Sequence, residues 1–370
     1  MDFGLVLMGY RGCWDDVAFA EQHGFATAGF VDSPLLAGDP FVCMALAAQA
    51  TTRMRVGTML AIPDLRRAPT TAAAIATVNR IAPGRTFLGL GSGFTGRAVF
   101  GMPRLPADRL RDYALECRAL LDGDEIVHRW GRHEQPIRLR QTAGRYIDIE
   151  QRTPVYIAAD GPKALAAVGA AGDGWIASLM YANTMHNSRD VFAGSLASIE
   201  AAAAAAGRSM AGAYKMWSIS VCVLEPGESA MSERALERVG AGAMMPFHAY
   251  ADDPAVAEFL PPPLRERIEV YEREVLSRFG VGRERSYQET HRGHLSHLLE
   301  REASVLTEEI VRMTTLTGTA EQIAAVLRDL EAAGLSNVAF PVPPHLTREV
   351  VTDIEQKIMP LLDGATAQSG

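Results

Sequence analysis

The stretch GRTFLGLGSGF, residues 84–94, places an apolar run directly before a turn with glycines at positions 89, 91 and 93. The run TFLGL predicts a strand buried on both faces, because its apolar residues follow one another without polar alternation. Glycines allow another backbone or a ligand to come close to the chain. Two interpretations follow: a flat ring and a phosphate group approach this turn, or the glycines fit a tight bend of the fold.

Strand patterns of this kind recur along the whole chain and alternate with helical patterns. The strand candidates are FGLVLM (3–8), ATAGFVDS (26–33), RVGTMLAI (55–62), TFLGLGSG (86–93), PVYIAAD (154–160), GWIASLM (174–180), YKMWSISVCVL (214–224) and SNVAFPV (336–342). A Rossmann fold needs its glycine-rich turn after the first strand, whereas here the turn follows the fourth. The alternation therefore predicts an α/β protein with a (β/α)8 TIM barrel.

Two segments interrupt the alternation. Residues 124–153 read as short strands and turns between the fourth helix and the fifth strand, and residues 225–317 read as a long, mostly helical insertion between strands seven and eight. Insertions on the carboxyl side of barrel strands usually cover the active site. We expect a single domain over residues 1–370, with these two insertions.

Charge and composition narrow the classes of function. The net charge is −8, which disfavours a nucleic-acid or anionic-membrane partner, since both require basic surfaces. The four cysteines form no CxxC pair and are expected to be reduced and buried. No signal peptide or membrane-spanning run is recognisable, so we expect a cytoplasmic protein that acts on a small molecule.

The expected strand ends carry small or apolar residues and a few hydroxyl groups. Paired carboxylates, a Ser-His-Asp set and an HExxH motif are not apparent. A site with so few acid–base groups suits a bound redox cofactor that brings its own chemistry.

Six segments carry a resemblance to a known family. They are GFATAGFVDSPLLAGDPF (24–41), ALAAQATTRMRVGT (45–58), PDLRRAP (63–69), APGRTFLGLGSG (82–93), PVYIAADGPKALAAVGAAGDGWI (154–176) and TLTGTAEQIAAVLRDLEAAG (315–334). In this order and spacing the sequence resembles the luciferase-like flavin and deazaflavin oxidoreductases. Within them it is most similar to the methylenetetrahydromethanopterin-reductase branch, judged by DSPLL, GSG and DGPKAL.

The resemblance implies where the cofactor lies. Asp32 occupies the position where this branch keeps an acidic residue near the cofactor ring, and a bulge with a non-proline cis peptide is expected at or beside Met59–Leu60. The cofactor-binding residues implied at the strand ends are Thr58, Met59, Leu60, Gly91, Ser92, Gly93, Ala158, Ala159, Gly161 and Pro162.

The chain departs from the family at one position. Sugar-phosphate dehydrogenase relatives have a histidine after the aspartate, whereas this chain has Ser33. A hydroxyl group with an ordinary pKa cannot act unaided as a general base. Reduction or oxygenation is therefore favoured over histidine-assisted oxidation of an alcohol, and Asp32, Ser33 and His294 are the predicted catalytic residues.

Three functions stay open. The resemblance favours a deazaflavin F420-dependent oxidoreductase that transfers a hydride between the reduced cofactor and a small organic substrate. A monooxygenase that uses reduced FMN and O2 is the first alternative. A luciferase-like barrel that has lost its cofactor and serves as a binding subunit is the second. The family also implies a homodimer or larger homo-oligomer.

Three histidines recur in THRGHLSHLLE, at positions 291, 294 and 297. On a helix, side chains three residues apart drift around the axis, and neither a carboxylate nor a cysteine completes a ligand set. The pattern is interpreted as a helix over the site, with His294 facing the substrate pocket. No metal is predicted.

Overall fold

The computed structural model describes residues 1–140, 145–180, 182–282 and 285–366. The strands in these ranges are β1 (Asp2–Leu7), β2 (Thr27–Phe30), β3 (Arg55–Thr58), β4 (Thr86–Leu90), β5 (Ile126–Trp130), β6 (His133–Ile137), β7 (Val155–Ala158), β8 (Gly174–Ala177), β9 (Tyr214–Ser218), β10 (Val221–Val223), β11 (Leu316–Gly318) and β12 (Asn337–Pro341). The α-helices are α1 (Cys13–Gln22), α2 (Pro40–Ala50), α3 (Ala68–Ile81), α4 (Phe94–Ala98), α5 (Ala107–Leu121), α6 (Pro162–Ala171), α7 (Ser188–Ala205), α8 (Glu233–Ala243), α9 (Met245–Asp252), α10 (Pro262–Glu266), α11 (Ile268–Glu274), α12 (Ser286–Thr290), α13 (Glu308–Thr314), α14 (Ala320–Ala332), α15 (Thr347–Asp353) and α16 (Met359–Thr366).

Eight parallel strands close into a barrel in the order β1, β12, β9, β8, β7, β4, β3 and β2. Closure is visible at β1, where Val6 lies opposite Gly29 of β2 on one side and Pro341 of β12 on the other. Each of the eight strand candidates read from the sequence overlaps one barrel strand. The predicted (β/α)8 barrel is confirmed.

The barrel strands are buried on both faces, and β4 illustrates why its sequence is apolar throughout. Leu88 and Leu90 belong to the core between the barrel and the outer helices, whereas Phe87 packs inside the barrel. There the Phe87 ring stacks on Tyr156 at 5.4 Å between centroids, and Tyr156 stacks on Tyr214 at 5.8 Å. Alternate residues of one strand therefore enter two separate apolar layers, so that no polar face remains.

A polar network occupies the amino-terminal end of the barrel. The Asp2 carboxylate accepts hydrogen bonds from Arg55 at 3.0 Å and from the Tyr214 hydroxyl at 2.6 Å. The Arg55 guanidinium also lies 4.1 Å from the centroid of the Tyr214 ring. These residues begin β1, β3 and β9, so the network closes this end, and the opposite, carboxyl end is left for a site.

One predicted strand is divided in the structure. The sequence YKMWSISVCVL predicts a single strand, but β9 ends at Ser218 and β10 pairs with β11 in a separate two-stranded sheet. Ile219 still donates a backbone hydrogen bond to Ala339 of β12, whereas the Ser220 carbonyl accepts one from Leu316. The strand-like pattern of the sequence continues across the break because β9 and β10 are both extended. What changes at the break is the strand with which the chain pairs.

The predicted insertions occupy two places on the barrel. Within 124–153, β5 and β6 form an antiparallel hairpin, and residues 141–144 of this segment lie outside the described residues. Between β10 and β11 the chain forms α8 to α13, which share an apolar core of their own that includes Phe247, Tyr271 and Val311. None of the described helices has the length and apolar character needed to cross a membrane.

The stacked rings inside the barrel give a stability test. Replacement Phe87→Ala removes a fully buried ring between Gly57 and Tyr156, and we expect a loss of about 3–5 kcal/mol in the free energy of unfolding. Phe100→Ala, at a phenylalanine that is 42% exposed, is the matched control and should change stability by less than about 1 kcal/mol. Urea denaturation measures both variants. Equal effects would show that the interior ring stack contributes no special stability.

Candidate active site

A cavity of about 150 Å³ lies where the carboxyl ends of the barrel strands meet the helices between β10 and β11; we call it the strand-end cavity. The barrel contributes Met59, Ser178 and Ser218 to its wall, among others, and the helical segment contributes Met245 and Leu295. Carboxyl strand ends are the usual place for the active site of such a barrel. The helical segment therefore covers the face on which a site is expected.

The wall of the strand-end cavity is apolar apart from hydroxyl groups. The hydroxyl groups belong to Ser178, Ser218, Ser220, Thr184 and Thr314. None of the described residues that line the cavity has a titratable side chain. The cavity can therefore exclude water and orient a bound molecule, but its described wall offers no general acid or base of its own.

The peptide bond between Met59 and Leu60 is cis, as predicted from the resemblance. Met59 lines the strand-end cavity, directly after β3 ends at Thr58. The Thr58 hydroxyl donates to the Gly89 carbonyl at 2.7 Å, so it joins β3 to β4. Of the three residues predicted to bind the cofactor at this strand end, the structure thus places Met59 on the cavity and gives Thr58 a hydrogen bond within the barrel.

The glycine turn after β4 is packed against protein atoms. A Cβ atom at Gly91 would lie 2.4 Å from Leu60 Cδ1, and one at Gly93 would lie 2.6 Å from Ile62 Cγ2. At Gly89 the nearest atom would be the Thr58 carbonyl oxygen, at 2.2 Å. Gly93 also has a φ angle of 77°, which favours glycine. Of the two interpretations of this turn, the tight bend accounts for the missing side chains, and the cofactor contacts of Gly91 and Gly93 stay predictions.

The turn after β7, unlike the turn after β4, leaves open space beside its glycine. A Cβ atom at Gly161 would have no atom within 4 Å, and Gly161 precedes α6 with no side-chain cap on the first turn. Backbone N–H groups at a helix start that lack a side-chain partner attract anions. Ala158 is half-buried beside this turn, and Pro162 begins the helix. Among the three glycines predicted to bind the cofactor, Gly161 is the one where the structure leaves room beside the backbone.

Asp160 fixes the turn that holds Gly161. Its carboxylate accepts hydrogen bonds from the Ser178 amide at 3.0 Å, the Ser178 hydroxyl at 2.5 Å and the Leu179 amide at 2.8 Å. Burial raises the pKa of Asp160, and these donors oppose that rise. The carboxylate therefore links the loop after β7 to the loop after β8, where Ser178 and Leu179 reach the strand-end cavity. Sequence reasoning assigned no role to this residue.

Asp32 is a buried carboxylate with an incomplete set of partners. It is 1% exposed, and its Oδ2 accepts a long backbone hydrogen bond of 3.4 Å from Ile62. Arg66 Nε lies 3.8 Å from the same oxygen, and Arg66 also pairs with Asp39. Burial raises the pKa of Asp32, and the charge of Arg66 partly offsets the rise. Asp32 Oδ1 has no hydrogen-bond partner among the described residues, which indicates a polar partner supplied by a bound molecule or water.

The other predicted polar residues lie beside Asp32 in the chain or after the end of β4, which β3 separates from β2. Ser33 is 6% exposed, and its carbonyl accepts backbone hydrogen bonds from Leu36 and Ala37. Ser92 is half-buried, and its carbonyl accepts from Leu105. The catalytic role of Ser33 and the cofactor contact of Ser92 stay predictions.

The histidine segment differs from the prediction. Helix α12 ends at Thr290, so His291, His294 and His297 follow it in turns rather than on a helix. The His294 Nε2 atom lies 2.9 Å from the Thr95 hydroxyl, and Leu295 is the residue of this segment that lines the strand-end cavity. Burial lowers the pKa of His294, and the nearby His291 and His248 lower it further.

His248 is a residue of this region that sequence reasoning missed. It lies in α9, far from the histidine segment in the chain, and joins His291 and His294 in one buried group. His297 lies apart and contacts the hydroxyl group of Ser296. No local spacing could reveal His248, because only the packing of α9 against the turns after α12 brings it to the other two.

Three further large side chains near the barrel have structural partners. Arg97 is 8% exposed and forms an ion pair with Asp64 at 2.9 Å. The Arg104 guanidinium lies 4.5 Å from the centroid of the Phe94 ring. Trp217 is fully buried in the core between barrel and helices, and its Nε1 donates to the Ser178 carbonyl at 3.3 Å. Trp217 is therefore a core residue.

The sequence matches a family model and is similar to a curated protein. A family model described as luciferase-like monooxygenase matches residues 10–337. The F420-dependent hydroxymycolic acid dehydrogenase of Mycobacterium tuberculosis is 33% identical over 175 residues, which cover 46% of this chain and 45% of that protein. The match thus spans less than half of the length of this curated relative.

Solved structures share the fold over nearly the whole chain. The coenzyme F420-dependent tetrahydromethanopterin reductase from Methanopyrus kandleri has a TM-score of 0.70 at 17% identity, covering 97% of this chain and 98% of that one. The oxygenating constituent of 3,6-diketocamphane monooxygenase from Pseudomonas putida, in complex with FMN, has a TM-score of 0.60 at 14% identity, covering 97% and 98%. At these identities the structures show a common fold.

The packing of the glycine turn predicts the effect of a single methyl group. Gly91→Ala places its Cβ against Leu60, and we expect a loss of about 1–3 kcal/mol in the free energy of unfolding. In a Leu60→Ala background the same change should cost clearly less, because the closest atom, Leu60 Cδ1, is gone. Gly161→Ala is the control and should be nearly neutral. Denaturation of the four variants measures this, and additive effects of Gly91→Ala and Leu60→Ala would contradict the contact.

Proposed function

Because the chain belongs to the luciferase-like monooxygenase family, we propose that it is an oxidoreductase that uses F420 or, alternatively, FMN at the carboxyl ends of its barrel strands. The proposed reaction transfers a hydride between the reduced cofactor and a small organic substrate. Oxygenation of a substrate with reduced FMN and O2 is the alternative.

The observation that carries this proposal is the chemical character of the strand-end cavity. Its described wall has hydroxyl groups and apolar side chains but no titratable group, and Met59 stands beside the cis peptide on one side of it. Hydrolysis or acyl transfer would need a positioned nucleophile and base there. A cofactor that carries the reactive atoms needs only binding, orientation and the exclusion of water.

Three features of the chain fit a flavin-like cofactor with a phosphate group. Met59 provides an apolar surface against which a ring can lie. Gly161 leaves open space beside uncapped amides at the start of α6, which suits a phosphate group. Asp32 Oδ1 is a buried acceptor that lacks a donor. When bound, the cofactor supplies the hydride, or the electrons for oxygenation, and the chain holds it in place.

The remaining predicted residues act around the cofactor. Ser33, next to Asp32, can donate or accept one hydrogen bond but cannot serve alone as a base. The segment between β10 and β11 contributes Met245 and Leu295 to the far wall of the cavity, where it excludes water from a substrate. His294, which precedes Leu295, keeps its proposed role as the histidine nearest to the substrate.

F420 is proposed ahead of FMN because of the relatives. The curated relative from Mycobacterium tuberculosis and the reductase from Methanopyrus kandleri are both named as F420-dependent. The diketocamphane monooxygenase structure contains FMN, which supports the alternative. A barrel without a cofactor, acting as a binding subunit, is the third candidate, and it would leave Asp32 Oδ1 to be satisfied by water.

A homodimer or larger homo-oligomer is part of the same proposal. Helix α2 carries Val42 and Leu46, which are 59% and 38% exposed, and Leu35 before it is 62% exposed. Exposed apolar side chains that lie together on one face suit contact with a second copy. The cytoplasmic location remains a prediction.

Binding measurements distinguish the cofactors. We expect full-length protein to bind F420 at least about tenfold more tightly than FMN, followed by fluorescence quenching under anaerobic conditions. Gly161→Val should weaken cofactor binding without loss of stability, because its side chain would enter the open space beside the α6 amides. Gly194→Ala on the outside of α7, where a Cβ also meets nothing within 4 Å, is the control. If the protein bound neither cofactor, the oxidoreductase proposal would be wrong and the binding-subunit function would be favoured.

The role of Ser33 has its own test. Ser33→Ala should leave cofactor affinity nearly unchanged and lower kcat by no more than about a hundredfold, since a neighbouring hydroxyl contributes at most the lower range of proton-transfer catalysis. His294→Ala, measured in parallel under steady-state conditions, is expected to reduce activity as well. Complete loss of activity in Ser33→Ala with none in His294→Ala would reverse these assignments and make Ser33 the proton relay.

A further inference from the structure

The helical segment between β10 and β11 contains a group of three buried histidines. His248 of α9 and His291 and His294 of the turns after α12 are 1%, 0% and 6% exposed. One ring nitrogen from each lies within 4.8 Å of the other two. The ring centroids are 5.6 Å apart for His248 and His291, and also for His291 and His294. Three imidazoles therefore converge on one point away from solvent.

Two of these rings are held by carboxylates, each through its Nε2 atom. His248 Nε2 lies 2.7 Å from Glu302 Oε1, and His291 Nε2 lies 2.9 Å from Asp252 Oδ2. A carboxylate accepts a hydrogen bond, so each Nε2–H donates to its carboxylate, which leaves Nδ1 as the ring nitrogen available to a further partner. Glu302 is itself fixed, because its Oε2 accepts from the Leu299 amide at 3.1 Å. This carboxylate–histidine arrangement is the usual outer shell of a histidine metal site.

The nitrogen atoms left over have no partner. His248 Nδ1 and His291 Nδ1 are buried and lack a hydrogen bond among the described residues. A buried acceptor without a donor costs free energy, and two of them in one cluster point to a missing electrophile. A divalent cation would accept both lone pairs, and the two carboxylates behind the rings would offset its charge.

We propose that His248, His291 and His294 bind a divalent transition-metal cation of the zinc class, which joins α9 to the turns after α12 beside the start of α4. Three imidazole ligands suit zinc and its neighbours rather than magnesium or calcium, which prefer oxygen. Zinc–nitrogen bonds are about 2.0–2.1 Å long, so the three rings draw together on binding.

The position of the cluster gives the metal its role. His294 contacts the hydroxyl group of Thr95, and the His291 ring meets the Phe94 ring edge-on at 6.0 Å. Phe94 and Thr95 begin α4, directly after the glycine turn of the barrel. Met245 of α9 and Leu295 line the strand-end cavity. The metal would thus connect two pieces of the cavity wall to the fourth strand end, independently of the proposed redox cofactor.

Metal binding by the full chain, prepared without a histidine tag and stripped with a chelator, tests the proposal. We expect one equivalent of Zn²⁺ or Co²⁺ per chain after desalting, a tetrahedral Co²⁺ absorption spectrum, and a higher Tm with Zn²⁺. His248→Gln should weaken binding by more than about 100-fold and abolish the rise in Tm. Glu302→Gln, which keeps the ligands but removes the carboxylate, should weaken it by about 10–100-fold.

His297→Gln is the matched control, because this exposed neighbour contacts Ser296 and lies outside the cluster. It should bind one equivalent like the unaltered chain. Failure of the unaltered chain to retain metal would overturn the proposal, as would His248→Gln or Glu302→Gln binding as tightly as His297→Gln. If His248→Gln does not fold by circular dichroism, His294→Gln and Glu302→Gln decide in its place. Titration of F420 to the metal-free chain separates this outcome from that of the proposed function.

Discussion

The close approach of the third and fourth strand ends is the constraint on which the rest of the site depends. Gly89 lies against the Thr58 carbonyl, and Gly91 lies against the Leu60 side chain. Side chains at these glycines would force the two strand ends apart, and the position of Met59 on the cavity would be lost with them. A barrel closes only if every neighbouring pair of strands keeps its spacing, so this contact is both a packing requirement and a condition for the site.

Two buried carboxylates at other strand ends, after β2 and after β7, differ in their partners. Asp160 is satisfied by three donors and serves to join neighbouring loops, whereas Asp32 keeps one oxygen without a donor. Burial raises the pKa of both carboxyl groups, but only Asp32 has capacity left for a partner that is not part of the described chain. An unpaired buried acceptor after β2 and a cavity wall without a titratable described residue are together consistent with a site that binds a reactive cofactor and contributes little proton transfer of its own.

The helical segment over the cavity joins the barrel through polar and aromatic contacts at the start of α4. Its own apolar core includes Phe247 and Tyr271, so it does not depend on the barrel for burial of these rings. What it needs is a fixed position relative to the strand ends, because Met245 and Leu295 complete the cavity wall. The histidine cluster lies at this junction, where a small number of directional bonds can fix position more effectively than further apolar contact.

The sequence by itself determined the architecture, because each βα unit carries its own local period and the order of such units predicts a barrel. The cis peptide after β3 was predicted from the resemblance to a family, and the residues at the expected strand ends predicted a site poor in acid–base groups. Only the tertiary structure shows that Gly91 packs against Leu60 and therefore has no room for a side chain. Only the tertiary structure shows that the predicted seventh strand is divided into β9 and β10, and that His248 lies next to His291. Each of these features depends on contacts between residues that are distant in the chain. Local sequence periodicity carries no information about such contacts.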